Sequence, residues 1–80
     1  SMCEFYEWVE GKRASNLEKH GIDFYDAVEV LRNEHLRIPS DRKNEERWIA
    51  LGRLQESVIA VVFTLRANVV RIISARPADR

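Results

Sequence analysis

Cysteine is almost absent from this chain: Cys3 stands alone among 80 residues. A single cysteine excludes an internal disulfide and fits a reducing cytoplasm. No base stands near Cys3 to make it a nucleophile, so it reads as structural or incidental. His20 and His35 lie far apart, and no HxH or CxxC spacing exists, so no metal and no other cofactor is expected. The three glycines, Gly11, Gly21 and Gly52, are isolated, which excludes a glycine-rich phosphate loop. A G-x-S-x-G nucleophile elbow is absent too. No apolar run reaches the ~18 residues of a membrane helix. The first residues lack the basic flank and apolar stretch of a secretory signal. A cytoplasmic chain without membrane contact is expected, and Ser1 ahead of Met2 reads as a cloning scar.

Excess charge of either sign is also missing: 13 basic and 13 acidic side chains give a net charge of +0. Bulk attraction to nucleic acid is therefore not expected. The distribution is uneven, however. Residues 1–40 carry five basic and eight acidic side chains, for −3, and residues 41–80 carry eight and five, for +3. A basic half built on strands can present a local positive patch on a neutral molecule. A chain this short makes one domain, 1–80, and buries only ~60% of its unfolded surface, so a partner or oligomer would add needed stability.

There is no repeat, low-complexity tract or internal linker. Phe5 to Trp8 reads as a short edge strand. Glu10 to His20 reads as a helix with acids early, Lys19 and His20 in its last turn and Gly21 at C′. Ala14, Leu17 and the stem of Arg13 offer it a narrow apolar stripe. Asp23 is a good N-cap for a second helix, with Asp26 at N3 and an Ile22–Ala27 staple. Phe24, Ala27, Val28 and Leu31 give that helix its apolar face, and it ends near Asn33. Leu36 to Ile38 is a short strand stopped by Pro39, and Ser40 to Glu45 a polar loop; His35, Asp41 and Arg42 read as loop residues that could line a site or be a solvated connection. Strands follow at Arg47–Arg53, Ser57–Leu65 and Val69–Arg76, joined by turns short enough to make them antiparallel neighbours. The expected fold class is α+β: a short N-terminal strand and a helical hairpin packed on a twisted antiparallel sheet of about four strands. The run Val58 to Phe63 is apolar on both faces and reads as a central strand. One helical hairpin covers one face, so something else must cover the other: a partner, a second copy or a further C-terminal segment.

The strand arginines carry the chemical signal. Alternation places Arg47, Ile49, Leu51 and Arg53 on one face. In the last strand it places Arg71, Ile73 and Ala75 on one face and Ile72, Ser74 and Arg76 on the other. The planar guanidinium fork suits phosphate. Metal-free RNA cleavage needs a base for the 2′-hydroxyl, cations for the phosphorane charge and an acid for the leaving oxygen. Arginines on a sheet could supply the cations; they could equally pair with Glu45, Glu46 or Glu56 or blunt a sheet edge. His20, beside Lys19, could act as acid or base, or simply cap its helix. Glu46 could be a general base or an ordinary surface carboxylate. Trp8 and Trp48 could stack on bases, though Trp48, facing away from Arg47, suits the core under the helices.

Six segments in order resemble one family: EWVEGK (Glu7 to Lys12), NLEKHGIDF (Asn16 to Phe24), IPSDR (Ile38 to Arg42), ERWIALGR (Glu46 to Arg53), VVFTLR (Val61 to Arg66) and RIISARPA (Arg71 to Ala78). The chain resembles the BrnT-type toxins of bacterial toxin–antitoxin pairs. That resemblance implies a RelE-like fold, a metal-independent endoribonuclease that stops translation, and a BrnA-type antitoxin with a ribbon-helix-helix domain. DNA would be contacted only through that antitoxin. Arg47, Arg71, Ser74 and Arg76 match the family's polar strand positions, and Lys19 and His20 its KHG element. The arginines are expected to grip the phosphate and the Lys19–His20 pair or Glu46 to assist proton transfer, with Lys19, Arg53 and Ser74 as substrate contacts. Family members often continue past the SAR element into a basic helix; here Pro77 stands where many have a basic residue. From another class, an inactive RelE-like module that binds a partner and aids autoregulation fits the neutrality and the uncovered face.

Overall fold

The computed structural model describes residues 4–40 and 46–79. Cys3, Asp41 and Arg42 lie outside them. Strand β1 (Phe5–Glu7) leads into helices α1 (Glu10–His20) and α2 (Phe24–Arg32), followed by β2 (His35–Pro39), β3 (Arg47–Leu54), β4 (Ser57–Arg66) and β5 (Val69–Pro77). His35 thus belongs to a strand rather than a loop.

The five strands form one sheet in the order β1-β5-β4-β3-β2. The sheet is mixed rather than wholly antiparallel, because β1 pairs parallel with β5. The crossover through the helical hairpin and three strands returns the chain beside its own beginning. The β3–β4 and β4–β5 hairpins turn tightly, with Leu54 facing Ser57 and Arg66 facing Val69. Gln55 and Ala67, the first residue of each loop, take the left-handed φ values of 56° and 55°.

Helix α2 forms as the sequence predicts. Asp23 accepts a hydrogen bond from the Tyr25 N–H at 3.1 Å, satisfying a donor that the first turn leaves open. Ile22 and Ala27 are both buried. Phe24, Ala27, Val30 and Leu31 enter the core, with Val30 rather than Val28 as the deeply buried valine. Helix α1 ends as expected at Gly21, whose φ of 74° lets its N–H reach the Leu17 carbonyl at 2.8 Å.

The expected apolar stripe of α1 does not exist. Ala14 and Leu17 are exposed, and the buried residue is Asn16. The reason lies in the sheet edge. Strand β1 covers β5 only at Val69–Arg71. Further along, the Asn16 amide takes the place of a neighbouring strand. Its Nδ2 donates to the Ala75 carbonyl at 2.8 Å, and its Oδ1 accepts from the Ala75 N–H at 3.1 Å. The same Nδ2 donates to the Ile22 carbonyl at 3.0 Å, tying the interhelical corner to the sheet. Arg13 joins the helices as well, pairing with Glu10 on α1 and with Asp23 at 3.0 Å. The hydrogen bond from Arg13 holds the Glu10 carboxyl below its ordinary value.

The helices cover one face of the sheet. Phe24, Val30, Val61, Phe63, Val70 and Ile72 are its largest fully buried side chains. Trp48 packs against this core, as expected, and Trp8 stands edge-on to Phe24 and Tyr25 at 5.9 and 4.9 Å rather than presenting a free stacking surface. Gly52 faces the same side. A Cβ there would lie 2.6 Å from Cγ1 of Val30 and 3.0 Å from Cβ of His35. Val30 is buried and stiff at χ1, so it cannot swing aside. Gly52→Ala is expected to lower the unfolding free energy by about 1–3 kcal/mol, the cost of forcing a methyl into a packed core. An unchanged urea midpoint would show that α2 does not seat closely on β3.

Beyond the helices, Arg37 of β2 closes the rest of this face. Its fork meets Glu4 at 3.1 and 2.9 Å, while its plane lies 5.0 Å from the Phe63 ring centre. Its Nε donates to Nε2 of His35 at 2.9 Å. That leaves Nδ1 of His35 as the protonated nitrogen, donating to the Asn33 carbonyl at 2.7 Å. Burial, followed by the nearby Glu4 charge, raises the Tyr6 hydroxyl above its ordinary value.

Candidate active site

The other face of the sheet carries the strand arginines. Directly paired residues on neighbouring strands share a face, so the register lays out this surface in rows. The first row runs Arg47, Thr64, Arg71 and Glu7 across β3, β4, β5 and β1. The next holds Ile38, Ile49, Val62 and Ser74, and the third Leu36, Leu51, Ala60 and Arg76. Arg53 beside Val58 ends the surface. It therefore has an aliphatic middle with cations and hydroxyls at its rim.

Strict alternation predicts Arg71 and Arg76 on opposite faces, and the structure overturns that. A β-bulge between Val62 and Phe63 shifts the pairing from Phe63↔Ile72 to Val62↔Ser74, leaving Ile73 as the extra residue. After the bulge the inward set changes from Val70 and Ile72 to Ala75, all buried. Ser74 and Arg76 consequently share the open face with Arg71. Ile73 and Ala75 do not share Arg71's face in the simple way alternation implies.

Arg47 and Arg71 stand on either side of Thr64, two strand spacings or about 10 Å apart at the backbone. Arg71 is 57% exposed, and its Nε donates to Oε2 of Glu7 at 2.9 Å. Arg47 is half-buried, with its Nε out of reach of solvent. Arg53 is exposed on the same face, and Arg76 and Ser74 are half-buried. The structure thus places Arg47, Arg53, Arg71, Ser74 and Arg76 on one face, with Arg53 at the end away from Arg47 and Arg71.

It does not bring Glu46 to them. Oε2 of Glu46 accepts from Nε1 of Trp48 at 3.2 Å, which puts the carboxylate on the side of Trp48, away from Arg47. Lys19 and His20 sit at the end of α1, exposed and half-buried respectively. His20 lies one turn beyond Asn16, on the side of α1 that meets the β5 edge. Among the described residues, neither Lys19 nor His20 is hydrogen-bonded to an arginine of the sheet. Thr64 and Glu7, which complete the first row, were not among the residues the sequence pointed to. The turn positions could have found Thr64, because a two-residue loop at 55–56 fixes Arg47 opposite Thr64, and one at 67–68 fixes Thr64 opposite Arg71; Glu7 joins the row only through the parallel docking of β1.

Two flanking guanidiniums and a hydroxyl suit an oxyanion with several acceptor oxygens. Among the described residues no three His, Cys, Asp or Glu side chains gather as a metal site requires, and no helix is long and apolar enough to cross a membrane.

Comparison with known proteins gives the chain a family. Residues 8–80 match the family described as ribonuclease toxin, BrnT, of type II toxin-antitoxin system. The chain belongs to that family. The crystal structure of the Brucella abortus ribonuclease toxin, BrnT, superposes with a TM-score of 0.77 at 30% sequence identity. The match covers 99% of this chain and 100% of that one. No curated protein matches. The BrnT family places the chain among ribonuclease toxins of type II toxin–antitoxin systems, whose toxins act with an antitoxin partner.

Proposed function

We propose that the chain is itself a RelE-like endoribonuclease that cleaves RNA without a metal in the cytoplasm and so arrests translation. The observation that carries this reading is the bulged β5, which sets Arg71, Ser74 and Arg76 on one open face with Arg47. Arg47 and Arg71 hold the scissile phosphate and stabilise the charge that grows on it. Arg76, Ser74 and Arg53 extend the grip along the strand of RNA, and Lys19 adds charge at the periphery. His20 takes part in proton transfer from the end of α1. Glu46 could serve only after leaving Trp48. A BrnA-type antitoxin with a ribbon-helix-helix domain covers the open face and brings the pair to DNA.

One feature favours a second reading, an inactive module that serves only to bind its partner. Leu36, Ile38 and Val58 are exposed by 67%, 44% and 48% on the arginine face, more apolar surface than RNA requires. Induced expression in bacteria separates the two. Growth arrest with degraded RNA, relieved by Arg71→Ala, is the outcome expected of the ribonuclease. Normal growth with intact RNA and soluble, folded protein would leave the interaction module.

A further inference from the structure

The first row of the open face contains a group outside the arginine pattern. Thr64 lies on the central strand directly between Arg47 and Arg71. Its chain neighbour Phe63 is fully buried on the helix-covered side, so Thr64 faces the other way. The backbone sharpens the placement. The Leu65 N–H donates to the Glu46 carbonyl at 3.4 Å, which makes Leu65 and Glu46 the hydrogen-bonded pair. The next pair, Arg47 and Thr64, is then a non-hydrogen-bonded pair, the arrangement in which facing side chains come closest.

We infer that Thr64 is the central ligand of a phosphoryl-binding row, Arg47–Thr64–Arg71. A phosphoryl group seated over β4 would accept a hydrogen bond from the Thr64 hydroxyl beneath it and from a guanidinium on each side. The three donors belong to the three central strands of the sheet, β3, β4 and β5. Glu7 completes the row without blocking it. It engages Arg71 through Nε alone, and the two terminal nitrogens of the fork make no hydrogen bond to any described residue. The β-branched threonine also fits its place: it packs as a strand residue should while presenting one hydroxyl.

In the reaction proposed above, this row would hold the non-bridging oxygens of the RNA phosphate, so the inference deepens that reading. It can nevertheless fail separately. The test uses the whole chain, pyrophosphate as the probe and NMR amide shifts as the readout, with RNA cleavage measured in parallel. Saturable shifts at Arg47, Thr64 and Arg71 are expected. Thr64→Val, equal in shape but lacking the hydroxyl, should weaken binding about tenfold, the size of one hydrogen bond to a charged acceptor. Thr64→Ser, which keeps the hydroxyl, should bind within about threefold of the parent on the same grounds. Thermal melts confirm that both variants fold. Absence of shifts along the row, or equal affinity in Thr64→Val, overturns the inference, and persisting RNA cleavage would then leave the ribonuclease reading intact. Shifts along the row that need the hydroxyl, with no cleavage of RNA, would support the phosphoryl row and overturn the ribonuclease reading.

Discussion

Replacing Asn16 with leucine is expected to lower the thermal midpoint by roughly 12–24 °C, the consequence of losing about 3 kcal/mol in a domain this small. The side chain is buried and makes three hydrogen bonds, to the Ala75 N–H, the Ala75 carbonyl and the Ile22 carbonyl. The two Ala75 groups have no strand beside them, because the pairing of β5 with β1 ends at Arg71 opposite Glu7, and the Ile22 carbonyl lies in the corner between the helices. Leucine matches the size but leaves those groups dry and unsatisfied, which costs more than the bonds themselves contribute. Differential scanning calorimetry reads the change.

Asn16→Asp gives a sharper version. One carboxylate oxygen can still accept from the Ala75 N–H, but the other faces two carbonyls. Burial and those oxygens raise the folded-state pKa of the new carboxyl above its unfolded value. Stability should therefore be greatest below the unfolded value, near pH 4, and fall as pH rises through the folded one. A midpoint in Asn16→Asp that does not change between pH 4 and 7 would mean that the amide is not the edge partner of β5.

Arg71→Ala is expected to slow RNA cleavage by about 10²–10³-fold, the usual loss when one preorganised donor to a developing oxyanion is removed. Folding should barely change. Arg71 and Glu7 are 57% and 47% exposed, and a pair so placed contributes under about 1 kcal/mol. Arg71→Lys separates charge from geometry: it restores the charge without the planar fork and should recover only part of the rate. If Arg71→Ala cleaves as the parent does, Arg71 lies outside the site and the phosphoryl row loses one of its flanks.

The helical hairpin was legible because its signals are local. Asp23, Gly21 and the spacing of Phe24, Ala27 and Leu31 act within a turn or two, and each behaves in the structure as those signals predict. The central position of β4 was also legible, since only a strand between two others is apolar on both faces. What the sequence concealed depends on residues far apart. Asn16 reads as a polar helix residue until the unpaired edge of β5, 59 residues later, is placed beside it. The parallel docking of β1 joins the two ends of the chain, and no local pattern encodes it.

For the site, the arginines of β3 share a face because alternation holds there. In β5 a single extra residue broke the same reasoning, and the break assembles the site: without the bulge, Arg71 and Arg76 could not share a face. Nothing in RIISARPA marks the bulge as such. Arg37 shows the converse. It lies on the covered face, a position that ordinarily excludes charge, and is tolerated there through Glu4, His35 and the Phe63 ring.

The decisive experiment is incubation of the purified chain with RNA in excess EDTA. If the 2′-hydroxyl attacks the phosphorus held by Arg47 and Arg71, the 5′-oxygen leaves. The products are then a 2′,3′-cyclic phosphate and a 5′-hydroxyl end. Cleavage with those ends, unaffected by the chelator and lost in Arg71→Ala, is the predicted result. Intact RNA in the presence of folded protein, or cleavage that ceases with EDTA and returns with added magnesium, would contradict it.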